Sequence, residues 1–285
     1  MVSVLTCTDG SIYSESTYDH SIWVAQQLEA EIHLLHMLDP ELDKTNHPDY
    51  TGNIGMDTRK EMLKDFVEEE GTKARLAREH GKMILENGAQ YLKQVCPEIK
   101  TVAIQKHGNL LESVENLDPT VKIIVMGKRG EHADFETMNL GSNLEEAVRN
   151  SKKPILIASR KFQSIRKMTL CFDDSPSANK ALEFLTIHKF CRGFDIEVIH
   201  IGNENPAIKQ QLDNATTLLN QTGAQAKSFV IEGSPTEAIT KYIENEGTDL
   251  LVMGSYGHSK IREMIFGSTT TNIIKSIQVP VFMFQ

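Results

Sequence analysis

The sequence predicts an α/β fold of two tandem doubly wound domains, each a five-stranded parallel sheet flanked by helices. Three observations lead to this fold class: the chain repeats itself, short apolar runs alternate with helical patterns, and those runs are apolar throughout. Alternating strands and helices build such sheets, and continuous apolar strands are typical of sheets covered on both faces. At 285 residues the chain is long enough for two domains of ordinary size.

The repeat is visible when the chain is aligned with itself. Four pairs of segments correspond: VLTCTDGS (4–11) with TLCFDDS (169–175), IHLLHML (32–38) with IEVIHIG (196–202), VKIIVMGKRG (121–130) with TDLLVMGSYG (248–257), and KKPILIAS (152–159) with QVPVFMF (278–284). Each copy therefore predicts five strands with a helix between each pair of successive strands. After the first strand of the second copy, apolar residues at helical spacing predict a helix buried on one face: Ala178, Ala181, Leu182 and Leu185.

The two copies set the domain boundaries at 1–160 and 161–285, with a short linker around RKFQSIRK (160–167). Asp9 and Asp173 are 164 positions apart, whereas Gly108 and Gly233 are 125 apart, so the first copy carries about 39 additional residues before Gly108. This surplus, within 37–95, contains a polar loop at 39–55 and a long charged helical run from about residue 58 to 94. The run is most simply a solvated helix face, and a lid or partner-binding role is the functional alternative.

Composition excludes several classes of function. The formal net charge of −9 argues against nucleic acid and anionic membrane surfaces as partners, because both require clustered Lys and Arg. No run approaches the roughly 20 apolar residues that span a bilayer. The amino terminus enters the strand-like VSVLTCT without an export signal, so we expect a cytoplasmic protein.

Cysteine and histidine residues do not indicate a metal centre. The four cysteines are scattered without a CxxC pair and indicate reduced thiols, with Cys7 and Cys171 inside apolar strands. His36 and His200 occupy equivalent strand positions, which favours a role in orienting a strand end over metal binding.

Ligands of doubly wound sheets bind beyond the carboxyl ends of the strands. In the second copy these ends present Asp173, Ile201 and Gly254, and Ser268 and Thr269 open the final helix. A carboxylate, glycines that let backbone N–H groups approach an anion, and a helix start are together suited to a nucleotide. Taken singly, each has a structural explanation as a turn former or helix cap.

One segment resembles a known family. VMGSYGHSKIREMIFGSTT (252–270) is similar to the G-x2-G-x9-G-[ST] element of universal stress proteins that bind ATP, and FDDS (172–175) resembles the end of that family's first strand. The resemblance extends over essentially the whole chain, as two tandem units. It implies a cytoplasmic stress-response protein whose domains pair through their last strands and which binds ATP, with Mg²⁺ or Mn²⁺.

The resemblance also implies binding residues but no catalytic constellation. Asp173 and the backbone at Ile201 would hold adenine and ribose. The phosphates would be held by Gly254, Gly257, His258, Gly267, Ser268 and Thr269.

The first copy departs from this pattern, although it offers an equivalent, weaker site: Asp9, Met37, Gly127, Gly130, Gly141 and Ser142. Ten residues instead of nine separate the last two glycines, and Asn143 replaces the second hydroxyl. Glu145 and Glu146 at the start of the following helix would repel a triphosphate. We therefore expect nucleotide mainly in the second copy, although Lys128 and Arg129 could reach phosphates in the first.

Three functions remain open at this stage. The leading hypothesis is a regulatory module that binds an adenine nucleotide and acts on an unknown protein partner. The second is a slow ATPase, autokinase or nucleotidyl transferase, and the third is a scaffold that binds another small ligand. We expect the two copies to pair through ILIAS (155–159) and VFMFQ (281–285), and a further homodimer is compatible with the sequence.

Overall fold

The structure, a computed structural model, describes residues 1–38, 56–108, 110, 113, 118–128, 142–187, 190–254 and 268–285. For 56–70, Ser142 and Ser268 it describes the backbone alone. The described residues form ten strands: β1 Ser3–Cys7, β2 Glu31–Leu38, β3 Thr101–His107, β4 Val121–Gly127, β5 Ile155–Ala158, β6 Lys167–Cys171, β7 Asp195–Ile201, β8 Gln225–Ile231, β9 Leu250–Gly254 and β10 Val281–Phe284. They also form seven helices: α1 Ser14–Leu28, α2 Met56–Val95, α3 Ser142–Asn150, α4 Pro176–Ile187, α5 Pro206–Gln221, α6 Pro235–Glu246 and α7 Ser268–Ser276.

All ten strands belong to one sheet, in the order β3-β2-β1-β4-β5-β10-β9-β6-β7-β8. The first half (β1 to β5) and the second half (β6 to β10) are each parallel and have the same order, which confirms the predicted fold class. The halves join where β5 and β10 pair antiparallel, Ile155 opposite Met283 and Ile157 opposite Val281. The expected pairing of the last strands is therefore present within a single chain.

Helices cover both faces of the sheet. One face packs against α1, α2, α4 and α5, and the other against α3, α6 and α7. The central strands are buried on both faces, which explains their continuous apolar sequences: all four residues of β5 and of β10 are buried. The outermost strands β3 and β8 retain exposed residues, because only one neighbouring strand covers each of them.

An aromatic cluster lies under the junction of the halves. Phe282 of β10 contacts Phe184 of α4 and Phe190, at ring-centroid distances of 5.5 and 5.6 Å. Trp23 of α1, which belongs to the first half, meets Phe190 edge-to-face at 5.2 Å. Such pairs add to the free energy gained from burying their apolar area, so this cluster reinforces a strand pairing that is only three residue pairs long.

The predicted charged helical run is α2, a helix of 40 residues and about 60 Å. Leu85 and Leu92 of α2 are buried and correspond to Leu212 and Leu219 of α5, an offset of 127. The carboxyl-terminal part of α2 is therefore the counterpart of α5. The additional residues of the first copy lie before Gly81. No side chain from 71 to 80 is buried. The polar loop at 39–55 lies outside the described residues.

His20 connects α1 to the chain that leaves β5. Its side chain is fully buried, with Nδ1 2.6 Å from the Ser16 carbonyl oxygen and Nε2 3.3 Å from Ser159 Oγ. Phe162 packs edge-to-face on the ring at 5.0 Å. Burial lowers the pKa of His20 from 6.5 to about 4, so the imidazole is neutral in the folded protein near neutral pH.

This depressed pKa predicts a loss of stability in mild acid. Because the unfolded state takes up the proton at higher pH than the folded state, His20 should lower the free energy of unfolding by about 2 kcal/mol between about pH 7 and pH 5. Urea unfolding of the wild type and of His20→Gln across this range measures the effect. The variant should lack this part of the pH dependence, and equal slopes for the two proteins would contradict it.

Candidate functional site

The carboxyl ends of β9, β6 and β7 lie side by side, because these three strands are adjacent and parallel. Gly254 is the last residue of β9, Ile201 is the last residue of β7, and Asp173 follows β6 by two positions. All three are half-buried. Helix α7 runs from this edge back to the start of β10, so its amino terminus, at Ser268, lies at the same edge.

Asp173 shapes the turn between β6 and α4. Its Oδ1 accepts a hydrogen bond from the Ser175 backbone N–H at 3.1 Å, and Ser175 Oγ accepts one from the Ala178 N–H at 3.3 Å. Ser175 therefore caps the start of α4. Within the described part of the chain, Oδ2 of Asp173 accepts no hydrogen bond, which leaves one carboxylate oxygen for a ligand.

Asp174, between these two residues, adopts a left-handed backbone conformation with φ +58° and is exposed. Its Oδ2 accepts a hydrogen bond of 2.7 Å from Gln211 Nε2 of α5. The rim of the second-half site is therefore polar, and α5 contributes to it.

Gly254 has a packing role that its sequence position did not reveal. A Cβ atom there would lie 3.2 Å from the Ala178 backbone nitrogen and would collide with Ser177 Oγ. The start of α4 therefore rests directly on the end of β9, and the missing side chain is required whether or not a phosphate binds.

His36 and His200, near the ends of β2 and β7, make the same contact in the two halves. Nδ1 of His200 lies 3.0 Å from the Phe172 carbonyl oxygen, and Nδ1 of His36 lies 2.9 Å from the Thr8 carbonyl oxygen. Each ring therefore fixes the backbone just beyond the first strand of its half, which confirms the orienting role.

In the first half, Asp9 is more fully engaged than Asp173. Its Oδ1 accepts hydrogen bonds from the Ser11 N–H at 3.0 Å and from Ser14 Oγ at 3.2 Å. Met37 of β2 is half-buried, and its sulfur accepts a hydrogen bond of 3.7 Å from Ser113 Oγ. Gly127 ends β4 and is half-buried.

Helix α2 covers the rim of the first-half site. Gly10, with φ +75°, is so close to Ile84 of α2 that a Cβ atom would lie 2.7 Å from Ile84 Cγ1. At an offset of 127, Ile84 corresponds to Gln211. An apolar contact over Gly10 thus replaces the polar contact over Asp174. Local sequence patterns do not indicate either contact, although the alignment of the two copies, extended through α2 and α5, pairs Ile84 with Gln211.

Lys128, the residue after β4, contacts the second half of the chain. Its Nζ donates a hydrogen bond of 2.8 Å to the carbonyl oxygen of Ile277, which belongs to the second half. The ammonium is directed across the junction. Arg129 lies outside the described residues.

Several predicted site residues lie wholly or partly outside the described residues. Thr269 is exposed in the first turn of α7, whereas Ser268 and Ser142 are described only as the first residues of α7 and α3. Those outside are Gly130, Gly141, Gly257, His258 and Gly267.

The cysteines near the strand ends are poor nucleophiles. Burial raises the pKa of Cys7 to about 12, and burial together with the charge of Asp173 raises the pKa of Cys171 to about 12. All four cysteines are free thiols. Both strand-end thiols therefore stay protonated near neutral pH.

Comparisons with known proteins agree on one family. The universal stress protein family model (Usp) matches residues 1–159 and 199–285. Universal stress protein Slr1230 from Synechocystis is 34% identical over 288 residues and covers 100% of both chains. Universal stress protein MJ0577 from Methanocaldococcus jannaschii is 36% identical over 77 residues, which are 27% of this chain and 48% of that one.

The fold also matches a solved structure. A crystal structure of a universal stress protein from Archaeoglobus fulgidus superposes with a TM-score of 0.69 at 23% identity, covering 99% of this chain and 97% of that one. This likeness shows the fold. None of the helices that the structure describes combines the length and apolarity needed to span a bilayer.

The packing of Gly254 predicts a stability effect that needs no ligand. Gly254→Ala should lower the free energy of unfolding by about 1–3 kcal/mol, because the added methyl group must displace the start of α4. Gly71→Ala is the matched control: nothing lies within 4 Å of its added Cβ, and it should raise helix stability by roughly 0.5–1 kcal/mol. Urea unfolding measures both. An unchanged stability of Gly254→Ala would show that the strand end has room for a side chain.

Proposed function

Because the chain belongs to the universal stress protein family, we propose that it is a cytoplasmic regulatory module that binds ATP mainly in its second half. The observation that carries the proposal is the meeting of Asp173, Ile201, Gly254 and the start of α7 at one edge of the sheet. Asp173 offers a carboxylate oxygen, and a helix start offers N–H groups and a positive dipole end to phosphates.

The residues present suit such a nucleotide. Asp173 and the Ile201 backbone would hold adenine and ribose, since a carboxylate accepts hydrogen bonds from amino and hydroxyl groups. The phosphates, with an accompanying Mg²⁺ or Mn²⁺, would be held by the motif residues Gly254, Gly257, His258, Gly267, Ser268 and Thr269.

Differences between the halves support the preference for the second. The first turn of α7 contains no acidic residue, whereas the first turn of α3 contains Glu145, which Glu146 follows. Ile84 closes over Gly10 with an apolar contact. Lys128 is directed to the other half. Each difference lowers the capacity of the first half for a charged nucleotide.

The first test is to denature freshly purified protein and to identify released nucleotides by chromatography and mass spectrometry, quantified per chain. About one adenine nucleotide per chain is expected if one half binds, and the ratio of ADP to ATP reports turnover, as the slow ATPase alternative requires. No nucleotide, even after incubation with Mg-ATP, would overturn the proposal and favour a scaffold that binds another ligand.

Matched substitutions test which half binds. Ser268→Ala should raise the dissociation constant for ATP about tenfold, because a hydrogen bond to a charged phosphate is lost. Ser142→Ala, at the same place in the first half, should change it less than twofold. Isothermal titration calorimetry measures both, with Gly257→Val and Gly130→Val as a second pair. Equal losses in the two halves would contradict the asymmetry.

A further inference from the structure

A cleft separate from the second-half strand ends lies at the junction of the two halves. It has a volume of about 630 Å³ and lies where the carboxyl ends of β4 and β5 meet the amino ends of β9 and β10. Its walls come from the start of α1, the linker after β5, and the end of α7. Of the described residues, it shares Gly127 with the first-half candidate site and none with the second-half site.

The described lining of this cleft is strongly cationic. Four cations face one carboxylate: Lys128, Arg160, Lys161 and Lys275 against Asp249. The carboxylate of Asp249 is committed to the backbone, since its Oδ2 accepts hydrogen bonds of 2.9 Å from the N–H groups of Arg166 and Lys167. This concentration of positive charge contrasts with the net charge of −9 of the chain.

The cations come from three parts of the chain, and side-chain contacts hold two of them, Lys128 and Arg160, in place. Lys128 of the first half donates to the Ile277 carbonyl oxygen at 2.8 Å. The Arg160 guanidinium of the linker lies 5.8 Å from the centroid of the Tyr13 ring, a cation–π contact. Lys275 lies half-buried in the last turn of α7. The linker itself is fixed by Ser159 Oγ, which donates to the Lys161 carbonyl oxygen at 2.7 Å.

Like charges gathered around a concave space repel one another, and a multivalent anion removes that repulsion. We propose that the cleft binds a small oligophosphate, with Lys161 and Lys275 as its principal ligands. Thr17 and Ser276 line the same space, but their hydroxyl groups already donate to the carbonyl oxygens of Tyr13 and Asn272, at 3.3 and 2.8 Å. The lysine ammonium groups are therefore the donors to the phosphate oxygens. Such a ligand would bridge the first half, the linker and the second half, and would therefore stabilise their pairing. This proposal is independent of ATP binding at the strand ends.

The pseudo-symmetric position supplies a control. There, a smaller notch of about 210 Å³ is lined by Lys152, Lys180 and Glu183, among others. Lys180 Nζ donates to the Gln285 carbonyl oxygen at 2.6 Å, and Glu183 offsets part of the charge. Replacing Lys152 and Lys180 changes the net charge of the protein as much as replacing the cleft lysines does.

The experiment is calorimetric titration of the full chain with tripolyphosphate, at low and at physiological ionic strength. Lys161→Gln combined with Lys275→Gln should weaken binding at least about tenfold, because two charge-assisted hydrogen bonds are lost. Lys152→Gln combined with Lys180→Gln should weaken it less than twofold. The wild-type affinity should fall as salt rises, and the melting temperature of the wild type should rise with ligand.

Three results would overturn the proposal. No binding of tripolyphosphate to the wild type would exclude the site. Equal losses in the two lysine pairs would indicate non-specific attraction. Binding that survives in Lys161→Gln with Lys275→Gln and is lost in Ser268→Ala would assign the phosphates to the strand ends. That last result would leave the proposed ATP site intact, so the two proposals fail separately.

Discussion

The antiparallel pairing of β5 with β10 is the constraint on which the rest of the structure depends. It joins two parallel sheets that would each end in an apolar strand, with all four residues of β5 and of β10 buried. An unpaired apolar edge strand is a template for aggregation, so neither half is complete without the other. The ladder has only three residue pairs. The aromatic cluster of Trp23, Phe184, Phe190 and Phe282 adds buried contact beneath it.

The same pairing fixes where ligands can bind. Because β5 and β10 run in opposite directions, the carboxyl ends of the first-half strands lie at one edge of the sheet and those of the second half at the opposite edge. Two strand-end sites in one chain are therefore far apart and face different ends of the molecule. Where the carboxyl edge of one half meets the amino edge of the other, the linker and the end of α7 enclose the cationic cleft.

Local sequence patterns predicted the fold well, because periodicity and apolar content report directly on burial. The helix at Ala178, Ala181, Leu182 and Leu185 and the succession of strands along each half follow from such patterns. The candidate site was less accessible to sequence reasoning. Nothing local to Lys128 indicates that its ammonium crosses to Ile277, and nothing local to Gly254 indicates that α4 rests on it. Both contacts join elements that are far apart in the chain, and a single sequence does not specify how closely such elements pack.

The two halves differ in the residue that lies over the turn after the first strand. Ile84 of α2 lies over Gly10, whereas its counterpart Gln211 of α5 lies beside Asp174. Both residues belong to the corresponding parts of α2 and α5, so this substitution, and not the added length of α2, accounts for an apolar cover over one candidate site and a polar rim at the other. The repeat supplies two equivalent strand-end positions. The substitution removes their equivalence, and the linker after β5 walls a cleft at the junction of the halves.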